Sequence, residues 1–193
     1  QATKISGIQN VKWLPEFPTL FRQIACESEI IYLNSNEHQR AGIEVETRDA
    51  RFVRECQRTF PLHRYERLAR VMHELRVVKS DHEVAAIRAA CDLTGKGLQR
   101  AVRFVKPGVN EAEVEAEFAH EFIRHQGQFA YPPIIAGGAN NNILHYTQND
   151  QPCRKGDLLL LDVAAGLGNY MSDLTRTIPV SGRFTRRQKQ VYN

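Results

Sequence analysis

Two aspartates in the second half of the chain have the residue type and the setting of metal ligands. Asp162 ends the apolar run at residues 158–161, and Asp173 follows a cluster of glycine and asparagine. This order, with a Tyr/Thr/Ile-rich run after the cluster, predicts a β-hairpin. A turn centred on Leu167 and Gly168 sets Asp162 directly opposite Asp173. Two carboxylates at that distance need a shared proton or a cation, which favours hard oxygen ligands for one or two divalent metals.

A purely structural role for the same residues is only slightly less favoured. In that interpretation Asp162 caps a turn, and Asp173 pairs with Arg176 or a lysine. His145, on a short strand predicted at residues 143–146, is by itself more typical of the core than of catalysis. Tyr131 alone is more typical of aromatic packing. The leucine run leaves neither face polar, which predicts a strand buried on both sides.

Capped helices and short strands are predicted to position these residues. Ser80 and Glu83 form a capping box that begins a helix, and this helix ends before Pro107. Asn110, followed by acidic residues, begins the next helix. The remaining predicted elements are a strand at 129–136 interrupted by Pro132-Pro133, a loop at 137–142, and a last helix that follows a turn and N-cap at 182–185.

The first part of the chain predicts a mixed α and β unit without a chemical motif. A short strand is expected at residues 29–33, a helix at 48–58 and a second helical pattern at 62–75. His38 and His63 are interpreted as surface residues. The domain boundary is placed near residues 76–80, where the helical pattern breaks before the capping box.

Composition excludes several classes of function. The 193 residues are 42% hydrophobic and 25% charged with a net charge of +4, which is typical of an ordinary globular protein and predicts neither nucleic-acid nor membrane binding. Four scattered cysteines without a Cys-x-x-Cys motif favour reduced, mostly buried thiols in a cytoplasmic protein. His120 and His125 are not a zinc-protease pair, because they are five residues apart in a helix. At that spacing the second imidazole points about 140° away from the first, whereas chelation requires a spacing of four residues.

Four segments resemble one known family, the pita-bread metallopeptidases of peptidase family M24. Within it the likeness is greatest to the Xaa-Pro aminopeptidase (aminopeptidase P) group, with prolidase near it. The segments are Gly156 to Asp162, Ser172 to Thr177, Ile143 to Asn149 and Glu74 to Ser80. The resemblance covers most of the chain after about residue 65, and residues 1–60 resemble more loosely the later part of a creatinase-like domain.

The resemblance implies a mixed α+β/α/β fold: residues 1–76 form the C-terminal part of a creatinase-like N-terminal domain with a linker helix, and residues 77–193 begin a pita-bread catalytic domain. It implies that Asp162 binds one metal and Asp173 bridges two. His145 would be catalytic and would hydrogen-bond the substrate, and Tyr131 would line the substrate pocket. The implied metal is Mn²⁺, with Zn²⁺ or Co²⁺ as substitutes, and the implied partners are peptides with proline second and further copies of the chain.

The departures from the family pattern limit what this chain is expected to do alone. Val163-Ala164 follows Asp162 where the family commonly has glycine at the second of these positions, and no residue matches the family's further ligands, one His and two Glu. We therefore expect a fragment of a longer metallo-aminopeptidase that is inactive by itself. Prolidase, a non-catalytic pita-bread binding module and, less favoured, metal-free creatinase-like hydrolysis are the alternatives.

Overall fold

The computed structural model describes residues 1–36 and 45–192, so His38 lies outside the described residues. The chain divides into two compact units, Gln1–Val78 and Lys79–Asn193. Each unit mixes helices with short strands. The assignment of the first unit to a creatinase-like domain stays a prediction.

Among residues 1–36 and 45–78, the first unit contains four α-helices, a short 3-10 helix and two strands. In chain order these are α1 (Ala2–Ser6), the 3-10 helix Leu14–Glu16, α2 (Phe17–Cys26), β1 (Ile30–Leu33), α3 (Arg48–Thr59), β2 (Arg64–Arg67) and α4 (Leu68–Val77). β1 and β2 pair in parallel, with Ile31 beside Tyr65. The predicted β1 and α3 are confirmed, and Thr47 caps α3 by accepting a hydrogen bond from Ala50 N.

The helix predicted at residues 62–75 is wrong in its first half, since residues 64–67 form β2. Tyr65 explains the difference, because its hydroxyl donates to the carbonyl oxygens of Cys56 and Phe60 at 2.8 Å each. These contacts tie the segment to the end of α3. His63 is half-buried rather than a free surface residue, and its Nε2 lies 2.8 Å from Ala25 O.

The second unit contains three α-helices, six strands and a 3-10 helix among its described residues. They are α5 (Asp81–Phe104), α6 (Glu111–Arg124), β3 (Gln128–Phe129), β4 (Ile134–Gly137), the 3-10 helix Gly138–Asn142, β5 (Leu158–Asp162), β6 (Ala165–Leu167), β7 (Tyr170–Met171), β8 (Thr175–Pro179) and α7 (Arg186–Tyr192). The predicted capping box of Ser80 with Glu83 is present on α5, and Asn110, the predicted start of α6, forms a second one with Glu113.

Two small antiparallel sheets lie beside the α5–α6 pair. Their strand orders are β3-β6-β7 and β4-β5-β8. α5 packs on β6 and β7, whereas α6 packs on β3 and β4. The core between them is apolar and includes Phe118, Phe122, Ile135, Leu159 and Leu161, each at most 1% exposed. Burial of this apolar surface fixes the position of β5, the strand that ends at Asp162.

The predicted register of the hairpin is wrong by two residues. The turn is Gly168-Asn169, whose φ angles of 57° and 66° are both left-handed, as a two-residue hairpin turn requires. Leucine does not adopt this conformation readily, so the turn forms one residue later than predicted. Asp162 consequently pairs with Thr175. A shift of two keeps each side chain on its face, so Asp162 and Asp173 remain diagonal neighbours.

Two further local predictions are wrong. Residues 143–146 form no strand, and His145 has a φ of 55°, which a strand does not accommodate. β5 is covered fully on one face only, since Leu159 and Leu161 are buried while Leu158 and Leu160 are half-buried. The strand predicted at residues 129–136 is two strands, β3 and β4, separated by the Pro132-Pro133 region.

The four cysteines are free thiols, and only two of them, Cys56 and Cys153, are buried. Burial raises the pKa of the Cys56 thiol and raises the pKa of Cys153 to about 11, with the charge of Glu111 adding to the second effect. None of the helices in the described ranges combines the length and the apolar character that a membrane crossing requires.

Gly97 allows the close approach of α5 and α6. A Cβ at this position would lie 2.8 Å from Phe122 Cε1 and 2.9 Å from Phe118 Cδ1. We predict that Gly97→Ala lowers the free energy of unfolding by about 1–3 kcal/mol through overpacking. The matched control is Gly95→Ala on the same helix, where a Cβ meets nothing within 4 Å. This control should raise stability by up to about 1 kcal/mol in urea denaturation, and equal effects of the two variants would contradict the packing.

The thiols should also differ in reactivity. Because the thiolate is the nucleophile, exposed Cys26 and Cys91 should react first with a chromogenic disulfide reagent in native protein. Buried Cys56 and Cys153 should react only as fast as the structure opens. Cys91→Ser should remove one fast equivalent and Cys153→Ser should remove none. A fast equivalent lost in Cys153→Ser would contradict the burial.

Candidate metal centre

Asp162 and Asp173 both lie within hydrogen-bonding distance of the Tyr131 hydroxyl. Tyr131 Oη lies 2.6 Å from Asp162 Oδ1 and 3.0 Å from Asp173 Oδ1. A phenol has a single proton, so the two carboxylates compete for one donor. The pKa of Tyr131 is raised above its ordinary value, chiefly by burial and then by the hydrogen bonds and charges of the two aspartates.

His145 lines the same open cleft as the two aspartates. The cleft has a volume of about 390 Å³ and is lined by Tyr131, Pro132, Ile134, His145, Thr147, Asp162 and Asp173. The four residues predicted for the site therefore lie together. His145 is exposed and has a left-handed φ of 55°. For a residue other than glycine this backbone conformation costs about 1–3 kcal/mol. Such a backbone persists only where its surroundings hold it.

Each aspartate is placed by a different set of contacts. Asp162 ends β5, where Ile134 of β4 and Thr175 of β8 flank it as strand partners. Asp173 follows Ser172, whose hydroxyl lies 2.6 Å from that of Thr94 on α5. Thr94 Oγ1 also accepts from Ala165 N at 2.8 Å. This buried hydroxyl pair connects both arms of the hairpin to α5 and thereby holds the backbone beside Asp173 in place.

The structural alternative for the aspartates is not observed in the described part of the chain. Neither aspartate forms a salt bridge with a described residue, and Arg176 donates instead to the carbonyl oxygen of Thr175 at 2.8 Å. A pair of negative groups without a cationic partner is electrostatically unfavourable. A divalent ion bound by both carboxylates would remove the repulsion.

The donor set fits part of a divalent metal site. Carboxylate oxygens suit Mn²⁺ and are also found on Zn²⁺. No group of three or more His, Cys, Asp and Glu within residues 1–36 and 45–192 is arranged to hold a metal ion. Two carboxylates alone leave most coordination positions to water or to other residues, so Asp162 and Asp173 provide only a portion of the predicted centre.

Sequence reasoning missed the residues that fix the loop around His145. We name residues 143–151 the histidine loop. Glu111 of α6 and Asn149 of the loop are both buried, at 0% and 3% exposure. The sequence offered only their polar residue types as a signal for this role. Glu111 lies in the first turn of a predicted helix, and Asn149 does not precede a helix. Neither position has a spacing that distinguishes it from a helix cap or a surface loop.

Comparison with known proteins identifies the group to which this site belongs. The model of metallopeptidase family M24 matches residues 85–193. Xaa-Pro aminopeptidase of Escherichia coli (strain K12) is 41% identical over 124 residues, which is 64% of this chain and 28% of the relative.

Solved structures give the same result over nearly the whole chain. An Escherichia coli aminopeptidase P variant in complex with substrate matches with a TM-score of 0.81 and 31% identity, covering 99% of this chain and 44% of that one. Zinc-substituted Escherichia coli aminopeptidase P in complex with product matches with a TM-score of 0.80 and 30% identity, covering 96% and 43%. The chain thus spans less than half the length of these relatives.

The family match covers more than half of the chain and includes every residue of the cleft. Its mixed α and β fold is that of the aminopeptidase P structures. The chain belongs to metallopeptidase family M24.

Proposed function

We propose that the protein containing this chain is a metal-dependent aminopeptidase that hydrolyses the bond between an N-terminal residue and a following proline. The observation that carries the proposal is the convergence of Asp162 and Asp173 on one hydroxyl beside His145. The names of the sequence relative and the structural neighbours support the substrate class.

Asp162 and Asp173 are the residues that would hold the metal, with Asp173 shared between two ions. We propose Mn²⁺, with Zn²⁺ or Co²⁺ as alternatives. Bound there, such ions would supply Lewis-acid chemistry, which would lower the pKa of a nucleophilic water and polarise the scissile carbonyl. The ligands still required are a histidine and two glutamates, which no described residue supplies in this arrangement.

His145 and Tyr131 are the proposed substrate-binding residues. The exposed imidazole of His145 can donate a hydrogen bond to the carbonyl oxygen of a bound peptide, where negative charge develops during hydrolysis. Tyr131, with apolar Pro132 and Ile134 beside it, borders the space for the substrate. The aromatic ring can contribute apolar contact to a bound peptide.

Two alternatives remain distinct from this proposal. A prolidase would cleave Xaa-Pro dipeptides only, whereas an aminopeptidase would cleave longer peptides. A non-catalytic binding module has no need for both carboxylates and His145 at one cleft, so their convergence favours an enzyme. Cytoplasmic location and homo-oligomeric assembly belong to the same proposal, and the free thiols are compatible with the first.

The 193-residue chain by itself should bind metal weakly. After equilibration with Mn²⁺ and dialysis, we expect well below one ion per chain, because two carboxylates cannot satisfy the coordination of even one ion. Metal analysis by mass spectrometry provides the measurement, and this chain should not cleave an Xaa-Pro peptide. Stoichiometric retained metal, or turnover, would show that the described residues complete the site.

In the complete protein, both aspartates should be essential for cleavage. Asp162→Asn and Asp173→Asn should each lower kcat/KM for an Xaa-Pro-Xaa peptide by at least about 100-fold through loss of a metal ligand. Asp92→Asn, an exposed aspartate on α5, is the matched control and should leave the rate unchanged. Full activity in either cleft variant would refute the proposal, and cleavage of dipeptides alone would identify a prolidase.

A further inference from the structure

Glu111 is a buried carboxylate outside the metal site, and it binds four hydrogen-bond donors. It lies in the first turn of α6 at 0% exposure. Oε1 accepts from Gly137 N at 2.7 Å and from Asn140 Nδ2 at 3.2 Å. Oε2 accepts from Tyr146 Oη at 2.7 Å and from Gln151 N at 3.0 Å. Such complete satisfaction makes this carboxylate a rigid connection rather than a spare acid.

The four donors are distributed before, within and at the end of the histidine loop. Gly137 and Asn140 precede the loop, Tyr146 lies within it, and Gln151 ends it. One side chain therefore joins the end of β4, the middle of the loop and its exit. Tyr146 follows His145 directly, so the contact that anchors Tyr146 also restricts the backbone of His145.

A second carboxylate on the same face of α6 holds the other half of the loop. Asn149 Nδ2 donates to Glu115 Oε2 at 2.9 Å and to Pro133 O at 3.0 Å. Asn149 Oδ1 accepts from Ile135 N at 3.0 Å. Glu111 and Glu115 are separated by one helical turn, so they project from the same side of α6.

His145 itself is held in a conformation that its own residue type disfavours. Its φ is 55°, it is exposed, and the buried residues Tyr146 and Asn149 follow it in the loop. A strained residue persists when its neighbours over-determine it, and such residues concentrate at functional sites. The buried contacts of Tyr146 supply that restraint here.

We propose that Glu111 is a positioning residue for His145, acting through Tyr146 to hold the imidazole beside Asp162 and Asp173. This inference rests on the proposed function for its catalytic consequence but not for its structural one. Burial and the Glu111 hydrogen bond raise the pKa of Tyr146 to about 12, so its hydroxyl remains a donor at neutral pH. The restraint is therefore present under ordinary conditions.

The structural consequence can be measured without any activity. In Glu111→Gln an amide nitrogen replaces one acceptor oxygen. Tyr146→Phe removes the hydroxyl that donates to Glu111 Oε2 at 2.7 Å and also lies 3.4 Å from Asp150 Oδ1. We expect the imidazole Cε1–Hε1 signal of His145 to shift or broaden in both variants, and exchange of the Gln151 amide to accelerate in Glu111→Gln. Glu113→Gln is the matched control, because Glu113 lies in the same first turn of α6, its carboxylate accepts from Asn110 N, and glutamine also serves in a capping box.

A folded Glu111→Gln or Tyr146→Phe protein whose His145 signal is unchanged would overturn the proposal. If Glu111→Gln fails to fold, Tyr146→Phe alone decides, since it removes one of the four donors to Glu111 and leaves the other three. A control variant that shifts His145 as strongly would also overturn the proposal, because the effect would then come from loss of charge on α6.

The catalytic consequence is measured by a double-mutant cycle in the complete protein. Tyr146→Phe should lower kcat for an Xaa-Pro peptide by about 10- to 100-fold through misplacement of His145. In a His145→Ala background the same change should cost less than about twofold, because the residue that it positions is gone. Equal losses in both backgrounds would show a general structural role and overturn the proposal.

The two hypotheses fail in different ways. A wild-type protein without peptidase activity, but with a His145 signal that depends on Tyr146, refutes the proposed function and supports the positioning role. An active protein in which the variants change neither the signal nor kcat refutes the positioning role and supports the proposed function.

Discussion

Asp162 and Asp173 accept from the same phenolic hydroxyl, and the rest of the second unit is arranged around that shared contact. Two carboxylates brought to one donor repel each other, and no salt bridge in the described part of the chain relieves the repulsion. The fold sustains it because β5 is fixed by core burial and the hairpin by the Thr94–Ser172 hydroxyl pair. An arrangement that is unfavourable on its own is what a cation-binding site requires.

The supports of the site come from elements that are distant in sequence. α5 positions Asp173 through Thr94, and α6 fixes the histidine loop through Glu111 and Glu115. The approach of these two helices depends on the absence of a side chain at Gly97. Helix packing, loop geometry and carboxylate placement are thereby coupled, so a change in the core is expected to reach the cleft.

The helix starts could be predicted from the sequence because capping is local. Ser80 with Glu83, and Asn110 with Glu113, carry their partners within three residues. The pairing of the aspartates on one face was also predictable, since strand periodicity survives an error of two residues in register. The register itself depended on whether Leu167 or Asn169 joins Gly168 in the left-handed turn. Both residues are next to Gly168, so the composition of the segment did not decide between them.

The histidine loop could not be predicted, because its conformation depends on long-range contacts. An apolar stretch at residues 143–146 has the composition of a strand, yet Glu111 and Asn149 draw it into a loop with His145 at positive φ. Likewise β2 was hidden in a helical pattern, since only its pairing with β1 makes it a strand. Residue type and spacing indicated which groups carry the chemistry, and tertiary contacts determine where they lie.

The central claim is that the aspartate pair is a metal-binding element, and anomalous X-ray diffraction tests it most directly. Crystals of the complete protein grown with Mn²⁺ should show an anomalous peak in coordination distance of both Asp162 and Asp173, with the Tyr131 hydroxyl no longer bridging them. Anomalous density elsewhere, with Tyr131 still bonded to both carboxylates, would contradict the account.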